Sequence, residues 1–504
     1  MPIFIQYNGM KEKKHGSAKK TQPSAEKYLS MGTIGELWGR GKWKNLFAPV
    51  DISSLVFFRI LFGLIMFYEV TRYFSHGWIS RYWIEPKYHF TYWPFDFLKP
   101  LPGDGMFLVF YAMGALAICI AIGLFYRASM FLFWLLFSYQ FLLEQTRYLN
   151  HFYLVILISF VMIFVPANTS ASVDSRIFKN IRSETAPAWS LWLMRFMVGL
   201  PYFFGGIAKI NPDWLQGQPL HMWLEGSTGF PVIGSLFKYQ WMALVMAYSG
   251  LFLDLLIVPA LLFKKTRIWG FLSIALFHSM NSQLFQIGIF PWFMIAATSL
   301  YFNPDWLRKF LNFFTGNSWA MTLPEKGKWT APEQLSVKQK IILVVLAVWV
   351  SFQSLVPLRH FFIPGVVHWS EEGHRYSWHM KLRTKRGMGD FIVMDKKTGK
   401  KEIVDPMNYL TLKQKKSMID TPYLIWQFCR IVKKDYKNKG LDVAVYADIK
   451  ASLNGRKYQQ LIDPNVDLTS VPRPIFPASW IIPLTTSLSD KPEKDSELNS
   501  LSEE

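Results

Sequence analysis

The sequence predicts a mainly α-helical, polytopic membrane protein: a bundle of about nine transmembrane spans followed by a C-terminal extracytoplasmic α+β domain. Three observations predict it. Of 504 residues, 51% are hydrophobic and only 18% charged, where a soluble domain carries about a quarter charged residues. About nine apolar runs are long enough to cross a bilayer, or nearly so. Aromatic residues reach 17%, with 21 Trp and 22 Tyr, and Trp and Tyr collect at membrane–water interfaces.

The runs fall near 51–70, 105–125, 128–144, 150–166, 188–208, 241–263, 267–283, 286–302 and 340–357. The joints Phe125-Tyr126-Arg127 and Lys264-Lys265-Thr266-Arg267 are short enough to force antiparallel neighbours. The seventh and eighth runs also read as one broken helix. Residues 1–45 are polar and basic (KEKKHGSAKK) and lack the apolar core of a signal peptide, which leaves the bundle at 46–358. Lysine and arginine set the orientation. With the N-terminus cytoplasmic, the inner loops hold Arg127, Arg176, Lys179, Arg182, Lys264, Lys265, Arg267, Arg308 and Lys309. The short outer loops are poorer. Loop 71–104 is the exception, with Arg72, Arg81, Lys87 and Lys99 among Trp, Tyr and Pro, and reads as a cap on the interface. The balance puts the N-terminus inside and the C-terminal domain outside.

Residues 359–484 read as a folded α+β unit. Phe391-Ile392-Val393-Met394 and Glu402-Ile403-Val404 flank a turn signal at 395–399, which predicts a hairpin. Residues 410–435 have helical periodicity. The stretch 442–453 alternates, and Asn454-Gly455 turns it back toward 458–461. The tail 485–504 is rich in Ser, Glu and Asp and predicts disorder.

The formal net charge is +20. Nucleic-acid binding is one source of such a charge, but no folded nucleic-acid motif accompanies it. A cytoplasmic lysine excess and attraction to anionic lipid account for it, so the expected partners are membrane lipid and no nucleic acid. Cys119 and Cys429 are too few for a disulfide framework or a metal site.

Ionisable groups within spans are functional candidates, and Arg59, Arg195 and Asp254 qualify; structural pairing inside the bundle is the alternative. Three polar clusters also stand out. They are 148–154 with Asn150 and His151, 206–214 with Lys209 before an Asn-Pro turn, and 277–285 with His278 and Asn281. Under the inside-N topology all three fall at the outer membrane face. Each has a structural reading: a snorkelling lysine, an interfacial histidine, interhelical polar contacts. The chemical reading is a base in an apolar pocket. An amine at a helix end among Phe203, Phe204, Ile207 and Ile210 is desolvated, which favours its neutral form. Such an amine takes a proton from a weakly acidic, lipid-soluble ring compound. Two histidines and a lysine make no zinc set, so no metal is expected.

At these residues the sequence resembles vitamin K-dependent gamma-glutamyl carboxylases, from about 45 to 484. The landmarks are FRILFGLIMF at 58–67, GLFYRAS at 123–129, NHFYL at 150–154, GIAKINPDW at 206–214, LFLDL at 251–255 and FHSMNSQLFQIGIF at 277–290. RYSWHM at 375–380, DKKTGKKEIVDP at 395–406 and LIDPNVDL at 461–468 continue the order through the outer domain. The resemblance implies an enzyme that oxidises vitamin K hydroquinone with oxygen to the epoxide. The strong base so formed removes a γ-proton from glutamate, and the carbanion adds carbon dioxide. It implies Lys209 as the base acting on the hydroquinone and His151 in glutamate carboxylation. Asn150, His278 and Asn281 would contact the quinone, and Tyr376, Trp378 and Met380 the glutamate-containing peptide or protein. Hydroquinone is a co-substrate, with oxygen and carbon dioxide, and no bound metal is implied. Ala208 stands where animal enzymes carry a second lysine, and the chain stops where they continue into a further β-rich region. Both features resemble a prokaryotic relative, expected in a bacterial inner membrane with its C-terminal domain in the periplasm. An epoxidase-only or menaquinol-linked oxidoreductase is one alternative. The other is a non-enzymatic transporter or scaffold using Arg59, Arg195 and Asp254.

Overall fold

The computed structural model describes residues 27–28, 33–37, 42–285, 287–315, 325–326, 329–474 and 477–490. Most of the basic segment 1–45, and the tail from 491 onward, lie outside the described residues. Each of the nine apolar runs folds as a helix. They are α1 (Ser53–Ser75), α2 (Gly105–Ile122), α3 (Tyr126–Leu142), α4 (Asn150–Phe164), α5 (Ala188–Lys209), α6 (Gln240–Leu262), α7 (Arg267–Leu284) and α8 (Phe290–Thr298). A surface helix, α9 (Trp306–Thr315), precedes the last of them, α10 (Val337–Leu355).

Among the described residues, five helices are long and apolar enough to cross a membrane: α1, α2, α5, α6, and α10 with its 3-10 continuation to Phe362. The expected nine do not all reach that mark. The helices α3, α4 and α8 have 17, 15 and 9 residues, against about 20 for a full crossing. Helix α7 has 18, but Ser279, Asn281, Ser282 and Gln283 dilute its last turns. The chain is thus a mainly helical membrane protein with an apolar exterior belt; Leu108, Phe252 and Val348 are among its exposed members.

Small residues let the helices close up, because packing rather than hydrophobicity drives association within a bilayer. A β-carbon at Gly63 would stand 2.5 Å from the Ala117 carbonyl oxygen where α1 crosses α2. One at Gly206 would stand 2.7 Å from Leu255 Cδ2 where α5 crosses α6. The short joint after α2 needs Gly123 at φ +68°, because a side chain there would meet the Arg59 guanidinium. In the same joint the Asp174 carboxylate accepts the amides of Phe125 and Tyr126, at 2.7 and 3.0 Å.

The soluble part has its own buried cluster. Its antiparallel sheet has the order β2-β1-β3-β4, with β1 Lys385–Asp395, β2 Lys401–Val404, β3 Val443–Leu453 and β4 Gln459–Gln460. The expected hairpin forms with Phe391 opposite Val404; the Asp395 carboxylate accepts the Lys397 and Thr398 amides in its turn. Asn454 and Gly455, at φ +53° and +80°, make the tight turn between β3 and β4. The periodic stretch 410–435 divides into α11 (Leu412–Met418) and α12 (Pro422–Asn438). Pro422 has no amide hydrogen to continue the first helix and suits the first turn of the second. Phe428, Cys429 and Val432 of α12 pack with Phe391, Val445 and Ala447 of the sheet.

Loop 71–104 caps the bundle and locks it to this domain. Phe90 is fully buried in the domain core. Gln427 donates to the Thr91 carbonyl at 3.2 Å and to Gln145 Oε1 at 2.9 Å. Gln414 donates to the Tyr88 carbonyl and to Glu144 Oε2, both at 2.8 Å.

Candidate active site

Helix directions alternate, so one end of the bundle gathers the last turns of α1, α5 and α7 with the first turns of α4 and α8. A cavity of about 790 Å³ lies there, between the bundle and the soluble domain. Asn150, His151, Lys209, His278, Asn281 and Met380 all line it, although they lie far apart in sequence.

Lys209 closes α5, and the turn after it fixes its place. Pro212 starts a new turn, and Asn211 caps that turn by accepting the Trp214 amide at 3.0 Å. The lysine Nζ stands 2.5 Å from Asp254 Oδ2 and 3.4 Å from the Gly205 carbonyl. The Trp214 ring lies 5.4 Å away. Gly205 and Gly206 bring α6 close enough for this contact; a β-carbon at Gly205 would come within 3.2 Å of Asp254 Oδ2. This differs from an amine surrounded by apolar side chains. Phe203 and Ile210 are exposed instead, at 47% and 59%. The basic site is therefore a buried Lys209–Asp254 pair.

His151 and His278 flank Phe290, with ring centroids 5.6 and 5.7 Å from it. His278 Nε2 lies 2.8 Å from the Tyr202 hydroxyl, while its Nδ1 is buried without a partner among the described residues. Asn150 bridges to the soluble domain. Its Oδ1 accepts from the Tyr148 hydroxyl at 2.9 Å, and its Nδ2 donates to the His379 carbonyl at 3.1 Å.

Met380 reaches the cavity, but Tyr376 and Trp378 stand behind its wall. Tyr376 packs on Tyr148 and Tyr153, with centroids 5.5 and 4.9 Å apart; Trp378 lies against Tyr153 at 5.3 Å. Both hold left-handed backbone, φ +63° and +60°, which costs a residue with a β-carbon roughly 1–3 kcal/mol. The Tyr376 amide donates to the Tyr148 hydroxyl at 2.7 Å, and Arg359 bonds Ser377 Oγ and the Arg375 carbonyl. These contacts hold the strained segment and so set the wall's shape.

The domain side of the cavity carries Arg375, Lys381, Arg383, Lys413 and Lys416 against Glu371 and Asp420; Arg383 pairs with Glu371 at 2.6 Å, and the wall stays net basic. His374 and His379 line it too, and His360 and His368 pack behind them. Neighbouring centroids in this group are 4.6 to 5.8 Å apart. Burial pushes His368 down to about 3 and His379 to about 2, with Arg383 and the other histidines adding to the shift, so both rings are neutral near pH 7. No spacing in the sequence marks this group; it lies in an irregular stretch where only the fold brings it together. Among the described residues, no three His, Cys, Asp or Glu side chains are arranged to hold a metal ion.

The two intramembrane arginines serve the opposite end of the bundle. Arg59 donates to the carbonyls of Ala167 at 2.7 Å and Ala171 at 2.8 Å. Arg195 donates to those of Leu300 and Phe302 at 2.8 and 2.9 Å. They satisfy backbone carbonyls at helix ends.

No solved structure matches the chain. A family model described as HTTM domain matches residues 47–306, over half of the sequence. A second, described as vitamin K-dependent gamma-carboxylase, lumenal domain, matches residues 338–487. Bundle and soluble domain are thus matched in the order the fold requires, and the chain belongs to the vitamin K-dependent gamma-carboxylase family.

Proposed function

We propose that this protein couples oxygenation of a vitamin K hydroquinone to the epoxide with carboxylation of glutamate in a peptide or protein. The observation that carries the reading is the single cavity shared by Lys209–Asp254, His151 and the basic wall of the soluble domain. A hydroquinone travels in the bilayer and a glutamyl peptide in water. A site where apolar helices meet a cationic domain surface serves both.

In this reading Lys209 passes a proton to Asp254, 2.5 Å away, and the amine so formed takes the phenolic proton. The resulting ammonium stays beside the phenolate oxygen and stabilises it. Asn150 has one amide hydrogen left to donate to a ring oxygen. His151 serves the glutamate step, beside the arginines and lysines that hold the carboxylates. Oxygen and carbon dioxide are the other substrates. In the membrane, all nine helices cross or partly cross, with the N-terminus cytoplasmic and the soluble domain periplasmic. A carrier reading loses its path, because Arg59 and Arg195 bond backbone carbonyls and Asp254 pairs with Lys209.

The test is turnover of reduced vitamin K in oxygen by the purified chain. Epoxide is expected, and Lys209→Ala is expected to abolish it. Epoxide formation unchanged by that substitution removes Lys209 from the role. Epoxide without glutamate carboxylation leaves an epoxidase only. A comparison with menaquinol shows which quinone is preferred.

A further inference from the structure

At the bundle end away from the cavity, α9 carries an aromatic ladder. Trp306, Phe310 and Phe314 succeed one another at four-residue spacing, with centroids 6.3 and 4.7 Å apart. Phe310, Phe313 and Phe314 are 52%, 82% and 67% exposed. Arg308 turns inward to Asp51 and Glu184 and anchors the helix to the bundle. Ten residues are too few to cross a bilayer. A short amphipathic helix at the ends of spanning helices lies in the membrane interface instead.

Beside it is a recess of about 210 Å³, between this helix and the turn joining α6 to α7. Lys264, Arg267 and Lys309 line it against a single acid, Asp305. Lys309 reaches Asp305 at 2.6 Å, and Arg267 donates to Asn303 Oδ1 at 2.8 Å. Glu36 also acts on Arg267, so the cationic excess rests on Lys264, with Lys265 exposed next to it. Trp306 lines the same recess, and its indole nitrogen is buried with no acceptor among the described residues. Ile268 and Trp269 of α7 continue the rim as exposed apolar surface.

We propose that this recess binds the phosphate of an anionic phospholipid. Lys264 supplies charge, Trp306 donates its indole N–H, and the acyl chains lie along Ile268 and the aromatic face of α9. A free phosphate would use the charges and the indole but none of the apolar rim, so the occupant is a lipid. A basic residue at a membrane surface contributes about 1 kcal/mol to such binding, or roughly fivefold in affinity.

Native mass spectrometry of the full chain in neutral detergent tests this. Phosphatidylglycerol, phosphatidylcholine with the same chains, and inorganic phosphate are offered separately and in competition. The expected result is retention of phosphatidylglycerol roughly tenfold or more above phosphatidylcholine, with inorganic phosphate failing to displace it at equal concentration. Lys264→Glu should erase most of that preference. Trp306→Phe, which keeps the ring packing, should weaken it several-fold. Equal retention of the two lipids, or a preference unmoved by both substitutions, overturns the proposal. Displacement by equimolar inorganic phosphate overturns the lipid assignment.

Discussion

Removing either partner of the Lys209–Asp254 pair should unfold the bundle more readily, and removing both should restore it. The side chains are 8% and 5% exposed and 2.5 Å apart. At an effective dielectric of about 20, two unit charges at that distance attract by about 7 kcal/mol. Withdrawing each from water costs several kcal/mol, so the pair contributes little net stability. Breaking it is different, because one charge stays buried alone. Lys209→Met and Asp254→Leu should therefore each cost about 3–5 kcal/mol. The double variant, with two apolar side chains of similar bulk, should lie within about 2 kcal/mol of the wild type. Equilibrium unfolding in mixed micelles, followed by helical circular dichroism, measures the cycle. Epoxide formation assayed on the same samples should stay absent in the double variant, which separates folding from chemistry. Single costs that simply add, to within about 0.5 kcal/mol, would refute the contact on which the site is built.

Three further outcomes rest on the packing and charge. Gly206→Val should force α6 away at Leu255 and part Asp254 from Lys209, costing about 1–3 kcal/mol and much of the turnover; a thermal melt with the epoxidation assay checks both. His368 and His379 have folded pKa values of about 3 and about 2, below an unfolded value near 6.5. The unfolded chain thus binds more protons below pH 6.5, and stability is present above that pH and lost as pH falls toward the folded values. The loss is on the order of 1 kcal/mol per pH unit for each histidine, and urea titrations at pH 7 and 5 should show it shrinking in His368→Phe. Asp213→Asn should remove the charge and one of the two bonds Arg456 makes to that carboxylate, at 2.7 and 2.6 Å, and weaken the joint between bundle and domain by about 2–3 kcal/mol. Faster hydrogen exchange at 453–460 would report it.

Much of this architecture is legible in the residues themselves. Apolar runs mark all nine helices, because a bilayer solvent leaves no other way to satisfy a backbone. The turn residues Asp395 to Gly399 and Asn454-Gly455 mark the sheet's hairpins, because only such residues take those backbone angles. Lys209, His151 and His278 could be placed at one membrane face by counting alternating helices. Crossing length was less legible: α4 and α8 are short, and their runs looked longer because apolar loop residues extend them. The partner of Lys209 was hidden as well. Asp254 is 45 residues away, and helical phase alone does not tell which faces of α5 and α6 meet. The histidine group was invisible for a related reason, since 359–384 is mostly irregular and carries no period to read.

The most direct measurement tracks both products of one reaction mixture. The purified chain in lipid nanodiscs receives reduced vitamin K, oxygen, labelled bicarbonate and a glutamate-rich peptide. Wild type is expected to yield epoxide and labelled peptide together, Lys209→Ala neither, and His151→Ala epoxide with little label. Neither product from wild-type protein, or both from Lys209→Ala, would contradict the assignment of this cavity.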